Sequence, residues 1–449
     1  MLIFKLLSYL ACLIPVFSCF KLKYGIALCL FFEILVPPVF NLKLIGIPFN
    51  IRIFYILVYC IMLYKLRQKG MKMDRSILQP FFLLIFSLSV LAIFQWSTPI
   101  VFQLHSIFRI IVVVYFLPML IWNVARFDSR NFNFIKLSFC LLVFISCLYG
   151  LFLTLMEGLN PYLMILYDVY TEDGFDISYS AALGEGRLFG RIQSTFVHPM
   201  TWSLFLCFSF VILYVFFQKE RKRIYICLLL LVFFNIIVSG VRTGIVVTVT
   251  CLLINLVQKR EFKILFYLSI IVLLGLFFFV ISNDELANYL LSIIDFSGKS
   301  SQVSGSSLNM RVNQLLGCFD ILGNNLLIGN GFSWNTYYMN SDHPVLLAFE
   351  SLLFVVLCNS GFVGFLLWIY FFFNILRKGN YMLKQDKVYL QMLLFAYLGF
   401  ALLTGEYDYL QQLAIYYSFL YSYLKYDCSI NKLCVNSFLS SSILFISRK

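Results

Sequence analysis

The chain has 449 residues, of which 61% are hydrophobic and 12% charged, and its mean hydropathy is +0.90. This composition excludes a soluble globular protein, because a core of this size cannot hide so much apolar surface. The net charge of +13 comes from basic residues clustered between apolar runs, so it reports membrane orientation and gives no reason to expect a nucleic-acid partner.

Apolar runs of about 15 to 25 residues recur along the whole chain. A membrane span must satisfy its own backbone hydrogen bonds, so these runs predict helices rather than barrel strands. We predict an all-α, polytopic fold with about 12–14 transmembrane helices in one integral membrane domain, residues 1–449. The first run lacks a small-x-small cleavage site, so we interpret it as a retained helix. The predicted spans are 2–20, 22–40, 51–64, 77–95, 99–122, 136–156, 197–217, 224–238, 243–257, 264–282, 345–376, 388–404 and 409–424, with the tail 433–447 left open.

Charge in the connectors predicts the orientation of these spans. Five short connectors hold 19 Lys and Arg against 5 Asp and Glu, which predicts that they face the cytoplasm. Two long connectors, 157–196 and 283–344, hold 4 Lys and Arg against 11 Asp and Glu, and we expect them outside as two long loops. The short connectors are 65–75, 123–136, 218–223, 258–263 and 377–387.

Arg242 lies between the spans 224–238 and 243–257, in the stretch SGVRTGIVV. The predicted orientation puts it at the external end of this helix pair, against the usual bias of basic residues. An unpaired arginine within a span costs roughly 2.5 to 3.5 kcal/mol, so it indicates a polar cavity or a ligand. The alternative is an arginine that reaches the headgroups or pairs with Glu406 or Asp408.

The end of the first external loop, GEGRLFGRIQSTFVHP, carries Arg187 and Arg191 just before a span begins near Pro199. Ser194, Thr195 and His198 add hydrogen-bonding groups, which we expect at the mouth of that helix. A helix start with guanidinium groups nearby suits a phosphate. The alternative is that the two arginines are ordinary interfacial anchors.

The second external loop contains a stretch with apolar residues at helical spacing, which predicts an amphipathic helix on the membrane surface. Its polar side carries Arg311. Further along, His343 and Glu350 fall near the start of the next span, and we expect Glu350 inside an apolar helix. Either His343 or His198 could act as a general base near neutral pH. The apolar positions are Leu308, Val312, Leu315, Leu316 and Phe319.

Other chemistries lack their sequence signals. The 13 cysteines include no CxxC pair, so we expect neither a metal site nor a disulfide framework. The chain also has no Walker loop, HExxH or GxSxG motif. We therefore expect no metal and no cofactor.

Four segments in this order resemble the O-antigen polymerase and O-antigen ligase superfamily of bacterial envelope enzymes. GRIQSTFVHP resembles its arginine, Ser-Thr-Phe and His-Pro element, and SGVRTGIVV resembles its Ser-Arg-Thr-Gly element. NMRVNQLLGCFDILGNNLLIGNGF resembles its external arginine helix with a Gly-x-Gly turn, and the stretch from Ser341 to Trp368 resembles its closing segment. The likeness covers roughly residues 184–370.

The resemblance implies a GT-C-like, metal-independent glycosyltransferase of the bacterial inner membrane, with its active site facing the periplasm. Its donor would be a glycan linked to undecaprenyl diphosphate, in contact with membrane lipid, and a chain-length regulator and a flippase of the same pathway would be partners. The leaving diphosphate needs positive charge, for which we expect Arg191, Arg242, Arg311 and Arg187. The acceptor hydroxyl needs a base, for which we expect His343, with Glu350 or His198 as alternatives.

Three functions remain open at this stage. A polymerase would transfer the growing glycan to a lipid-linked repeat unit, and long Phe-rich chains with modest loops favour this reading by family likeness. A ligase would transfer the glycan to lipid A core or to a protein. A lipid-linked oligosaccharide flippase or another transporter should show internal repeats and charges near mid-membrane, whereas the unusual charges here gather on one face.

Overall fold

The computed structural model describes residues 2–156, 159–171, 191–260, 308–338, 349–380, 382–405 and 409–426. The predicted span 264–282, the tail 433–447 and two of the candidate site residues, Arg187 and His343, lie outside these ranges.

Helices form nearly all of the regular structure in the described ranges. A π turn, Val112–Phe116, joins α5 and α6 into one continuous helix. The helices of the first half are α1 (Leu2–Phe20), α2 (Leu22–Ile34), α3 (Ile53–Gln68), α4 (Gln79–Ala92), α5 (Ile100–Ile111), α6 (Leu117–Phe127), α7 (Ser129–Thr154) and α8 (Pro161–Tyr170). Those that follow are α9 (Pro199–Glu220), α10 (Arg223–Val238), α11 (Arg242–Gln258), α12 (Leu308–Leu322), α13 (Trp334–Tyr338), α14 (Leu352–Gly379), α15 (Lys384–Thr404) and α16 (409–426).

A small β-hairpin after α2 was not expected from the sequence. Strand β1 (Leu42–Leu44) pairs antiparallel with β2 (Ile47–Phe49), and Leu42 lies opposite Phe49. The two turn residues, Ile45 and Gly46, both have positive φ, as a two-residue hairpin turn requires. The predicted span 22–40 was therefore too long, because α2 ends at Ile34, shortly before two prolines that cannot continue a helix.

Six helices in the described ranges are long and apolar enough to cross a membrane, and the chain is an all-α, polytopic membrane protein. Three shorter apolar helices lie between them, in Ser76–Ala92, Arg223–Val238 and Arg242–Gln258. The total of 12–14 spans stays a prediction. The six long spans are Leu2–Phe20, Ile100–Phe127, Arg130–Thr154, Pro199–Glu220, Leu352–Gly379 and Lys384–Thr404.

Helix α9 lies at the centre of the bundle and packs against α10, α11 and α15. Its contacts with α11 show that these two helices run parallel. The Cys207 thiol on α9 donates to the Gly244 carbonyl near the start of α11, and Tyr214, two turns further along α9, accepts a hydrogen bond from Asn255 near the end of α11. Both helices therefore begin at the same end of the bundle, which we call the outer end.

Helix α15 runs antiparallel to α11 and returns the chain to the outer end. The Cys251 thiol of α11 donates to the carbonyl of Met392, while the earlier Val247 lies beside the later Gly399. At the opposite end, Lys219 of α9 forms an ion pair of 2.7 Å with Asp386 in the first turn of α15. The basic connector around Lys219 thus lies at the end opposite to Arg242.

Helix α14 is interrupted at Gly361, where φ is 61° and ψ is −161°. The segment Leu326–Phe332 crosses the chain at this break. The N–H groups of Phe362 and Val363 donate to the carbonyls of Leu326 and Leu327, and the N–H of Gly331 donates to the carbonyl of Asn359. We call this contact the glycine crossing, because Gly361 and Gly329 meet there backbone to backbone.

We expect Gly361→Ala to destabilise the protein strongly. This backbone conformation is essentially restricted to glycine, and a Cβ at this position would lie 2.5 Å from the Leu327 carbonyl oxygen. Strain of about 1–3 kcal/mol plus the clash should lower the thermal unfolding midpoint of the full chain in detergent.

Gly379→Ala is the matched control. It changes the last residue of the same helix, where the new Cβ would meet only ordinary contacts at 3.6 Å. Equal midpoints for the two variants would show that the glycine crossing tolerates a side chain.

Candidate functional site

Arg242 is the first residue of α11 and lies at the outer end of the bundle. The chain reverses between α10 and α11 through Gly240, which has a positive φ of 65°. Val241, the residue before the helix, provides no side-chain cap for the first N–H groups of α11. Arg242 is partly buried. A partly buried guanidinium beside an uncapped helix start is an electropositive arrangement suited to an anion.

Gly244 brings the start of α11 directly against α9. A Cβ at this position would lie 2.1 Å from the hydroxyl oxygen of Ser203, so a larger residue here would require the Ser203 side chain to shift. Ser203 lies in the first turns of α9, which begins at Pro199. The close packing therefore places the positive ends of two parallel helix dipoles next to each other.

The segment before α9 is fastened to three other elements. The Ser194 hydroxyl donates to the Ser146 carbonyl of α7 at 2.6 Å, and the Thr195 hydroxyl donates to the Ile34 carbonyl at the end of α2 at 2.8 Å. Asn160, the cap of α8, donates to the Ser194 carbonyl. Ser194 and Thr195 thus lie just before α9, and their side chains are buried and hold the loop in place.

His198 caps α9. Its Nδ1 accepts a hydrogen bond of 3.2 Å from the N–H of Met200. Burial, and then the positive charge of Arg191, lowers the pKa of His198 to about 4. The imidazole is therefore neutral at physiological pH, with Nδ1 occupied as an acceptor and the proton on Nε2. The same effect shows that the Arg191 guanidinium lies near the start of α9.

Arg311 lies on α12, as the sequence predicts for a helix over this stretch, and its Nη2 donates to the Leu403 carbonyl at 2.8 Å. Leu403 is in the last turn of α15, at the outer end. Of the predicted apolar positions of α12, Val312, Leu316 and Phe319 are exposed on the protein and Leu315 is partly buried. The packed side also includes Gln314, Cys318 and Leu322.

Glu350 does not lie inside a helix, contrary to the expectation. It precedes α14, which begins at Leu352 after the capping residue Ser351. The helix begins there because the Ser351 side chain accepts a hydrogen bond from the N–H of Leu353. Among the described residues, the buried Oε2 of Glu350 has no hydrogen-bond partner.

A buried polar group next to the glycine crossing was missed by sequence reasoning. The Gln95 amide donates to the carbonyls of Ile328 and Asn359, and the Thr98 hydroxyl donates to the carbonyl of Asn330. Gln103 accepts from the N–H of Phe332. These side chains hold the chain that follows the Arg311 helix. The only signal for them was polar residues near the predicted end of an apolar span.

A second missed group is a buried charged network at the outer end. Arg52 lies 3.6 Å from Glu33 and donates to Gln411, while Gln411 and Tyr55 both donate to the Glu33 carboxylate. The carbonyl of Ile34, next to Glu33, accepts a hydrogen bond from the Thr195 hydroxyl, so the network adjoins the loop before α9. A single Glu within an apolar run and an Arg on the external side were the signals that could have found it.

The structure thus brings Arg191, His198, Arg242 and Arg311 to one end of the bundle, each on the start of a helix or against the end of one. Within the described ranges, no three side chains of the types His, Cys, Asp and Glu lie close enough to hold one metal ion. Among the described residues, the positive groups that gather at this end are guanidinium groups and helix N-termini.

We expect His198→Asn to preserve both stability and activity, because an asparagine side chain also accepts the capping hydrogen bond. His198→Ala should lower the free energy of unfolding by about 0.5–2 kcal/mol through loss of the cap. Thermal unfolding and glycan product from the same membranes measure the two effects. Since the pKa is near 4, His198→Asn should leave the activity profile between about pH 5 and 8 unchanged. A folded but inactive asparagine variant would instead give the imidazole a chemical role.

Comparison with known proteins adds one match. Residues 226–369 match the protein family described as O-antigen ligase. The matched region contains Arg242, Arg311, His343, Glu350 and the glycine crossing, whereas Arg191 and His198 precede it. Searches of curated proteins and of solved structures each found no match. The family match, in a polytopic membrane protein, supports the O-antigen ligase and polymerase superfamily for this chain.

Proposed function

We propose that the protein is a bacterial polysaccharide polymerase of the inner membrane, making O-antigen, capsule or exopolysaccharide. It transfers a growing glycan from undecaprenyl diphosphate to a lipid-linked repeat unit on the periplasmic face. The observation that carries the proposal is the position of Arg242 as the first residue of α11, packed beside the start of α9. Two parallel helix N-termini and nearby guanidinium groups form a site for a diphosphate.

The arginines stabilise the leaving group. When the bond between the sugar and the phosphate breaks, negative charge grows on the diphosphate, and fixed positive groups lower the energy of that transition state. Arg242 and Arg191 lie beside the starts of α11 and α9, and Arg311 is held at the end of α15 by the Leu403 carbonyl. Arg187, outside the described residues, is proposed to add to the same charge.

The acceptor hydroxyl gives its proton to a base as it attacks the sugar. His343 is our first candidate and lies outside the described residues. Glu350 is the second, and its Oε2, which lacks a hydrogen-bond partner in the described ranges, could accept this proton. His198 is the weakest candidate, because its unprotonated nitrogen is occupied by the cap of α9.

We expect Arg242→Ala to reduce polymer formation by about 100-fold or more while membrane insertion stays intact. Arg242→Lys should also be poor, because an ammonium group cannot replace the two-pronged guanidinium. Chain length on gels of extracted glycan measures both variants.

Arg223→Ala is the matched control, since Arg223 is also the first residue of a helix but lies at the opposite end of the bundle. Glycan of wild-type chain length from Arg242→Ala would contradict the proposal. Glycan of wild-type chain length from Arg242→Lys would show that Arg242 acts only as a positively charged anchor.

The ligase remains a second candidate, because the matched family is described by that activity. Deletion of the gene separates the two functions by product. If the gene encodes a polymerase, its deletion leaves single repeat units on the final acceptor, and this is the outcome that we expect. A ligase loss leaves long chains on the carrier lipid, and that result would replace our proposal.

A further inference from the structure

The last turn of α2 carries the carbonyl that receives the loop before α9. Helix α2 ends at Ile34, and residues 37 and 38 are prolines, which have no N–H group. The carbonyls of Glu33 and Ile34 therefore lack the donors that a continuing helix would supply four residues later. The Thr195 hydroxyl takes that place for Ile34, at 2.8 Å. The end of α2 thus becomes an attachment point for the loop.

The loop that Thr195 fastens does not hold its shape unaided. Ser194 has a φ of 50°, in the left-handed region that residues other than glycine rarely occupy. Its side chain is fully buried, and its hydroxyl donates to the Ser146 carbonyl. Such a backbone conformation persists only where the surrounding contacts hold it. The hydrogen bonds of Ser194 and Thr195 therefore decide where the residues on either side, Arg191 and His198, lie.

The Glu33 carboxylate, next to this attachment point, is held by three side chains. It accepts hydrogen bonds of 2.8 Å from the Tyr55 hydroxyl and from the Gln411 amide, and it lies 3.6 Å from Nε of Arg52. Arg52 also donates to Gln411 at 2.7 Å, so Gln411 bridges the two charged residues. The side chains of Arg52 and Glu33 are only 9% and 8% exposed. We call this group the Glu33–Arg52–Gln411 network.

Arg52 provides the positive charge that makes the buried carboxylate acceptable. Its backbone is fixed as well, because its N–H donates to the Asn50 side chain, whose amide donates to the Pro38 carbonyl. A buried carboxylate that loses its cation pays a large desolvation cost, so without Arg52 the Glu33 side chain would turn toward water. That movement displaces the turn of α2 that also carries the Ile34 carbonyl, because the two residues are neighbours.

We propose that Arg52 is a positioning residue for the diphosphate site, acting through Glu33 and Thr195 on the loop that carries Arg191 and His198. The inference rests on the proposed function, because the diphosphate is the ligand that this loop would serve. Arg52 itself does not touch the substrate. Stabilisation of the growing charge depends on how accurately a guanidinium is placed, so a displaced loop lowers the rate of the reaction.

A second ion pair in the bundle provides the matched control. Lys219 of α9 and Asp386 of α15 lie 2.7 Å apart, and the Asp386 side chain is 2% exposed. This pair lies at the end of α9 away from the loop that precedes the helix. Loss of either ion pair should destabilise the bundle, whereas only the loss of Arg52 should act on the loop.

Hydrogen–deuterium exchange of the full-length protein in nanodiscs tests the loop without glycan synthesis. In Arg52→Met and in Thr195→Val, the peptide that covers residues 192–198 should exchange about tenfold faster than in the wild type. In Lys219→Met that peptide should exchange as in the wild type. An unchanged rate at 192–198 in Arg52→Met would overturn the proposal.

A second variant serves where Arg52→Met fails to fold. Arg52→Met combined with Glu33→Gln removes both charges and leaves no unpaired carboxylate in the bundle. We expect faster exchange at 192–198 in this double variant, with wild-type exchange at the start of α15. Wild-type exchange at 192–198 in the folded double variant would likewise overturn the proposal.

The rate of polymer formation per folded enzyme connects the loop to the reaction. Arg52→Met and Thr195→Val should each lower kcat about tenfold, and the two changes combined should be no slower than the slower single variant, because both act on one contact. Losses that multiply would show two independent effects and contradict the proposal. Lys219→Met should lower the unfolding midpoint but keep the wild-type rate, and an equal loss of rate there would reduce the effect of Arg52 to general destabilisation.

The exchange result separates this inference from the proposed function. Unchanged exchange at 192–198 in Arg52→Met, together with an inactive Arg242→Ala, would remove the positioning role and leave the proposed function standing. Faster exchange in Arg52→Met, together with normal polymer from Arg242→Ala, would keep the coupling between Arg52 and the loop and remove the proposed function.

Discussion

The close parallel packing of α9 and α11 is the contact on which the rest of the outer end depends. Gly244 of α11 packs closely against Ser203 of α9, and a Cβ on residue 244 would lie 2.1 Å from the Ser203 hydroxyl oxygen. Helix dipoles add at such a junction, and the dipole effect is confined to the first turn of each helix. A small increase in the distance between α9 and α11 would therefore lower the positive potential between their N-termini more than the loss of a charged side chain far from this junction. Hydrogen bonds join the loop before α9 to α2, α7 and the cap of α8, and they fix the position at which α9 starts.

The charged side chains at the outer end form two groups with different surroundings. In the Glu33–Arg52–Gln411 network the Glu33 carboxylate accepts a hydrogen bond from Gln411 and lies 3.6 Å from Arg52, so the two opposite charges compensate each other within the protein, and the network joins α2, α3 and α16. The arginines of the candidate site are instead placed at helix ends, with Arg311 anchored to a backbone carbonyl. A buried ion pair costs desolvation and gives fixed geometry in return, whereas a guanidinium at a helix end can still meet an anion. The first group serves as scaffold, and the second is the diphosphate-binding surface that we propose.

The glycine crossing connects the segment that follows α12 to the bundle. Backbone hydrogen bonds across the break in α14 bring the two chain segments too close for side chains at the glycines. The side chains of Gln95, Thr98 and Gln103 form hydrogen bonds with further backbone carbonyl and N–H groups of the crossing. In the membrane interface an unsatisfied backbone group is costly, which explains why these polar side chains are buried beside an apolar span. The Arg311 helix is thereby held on a fixed support.

Much of the architecture could be predicted from the sequence, because span length, hydropathy and the charge of connectors are local properties of the chain. The helices that contain Arg311 and Arg242, and the position of Arg242 at a helix end, followed from such patterns. The family resemblance also came from short segments whose order along the chain is visible without a structure. The end of α2 was misjudged, since apolar residues continue past Ile34 and only the following prolines signal the stop.

Tertiary structure decided what each polar side chain contacts. The sequence could not show that the side chains of Ser194 and Thr195 are buried, or that Glu350 precedes its helix. Nor could it show that Nδ1 of His198 accepts the hydrogen bond that caps α9. It could not show that Glu33 meets Arg52 and Gln411, because these partners are brought together from distant parts of the chain. Hydropathy reports how much a segment favours the membrane, whereas hydrogen-bond partners depend on which helices pack together and in what register.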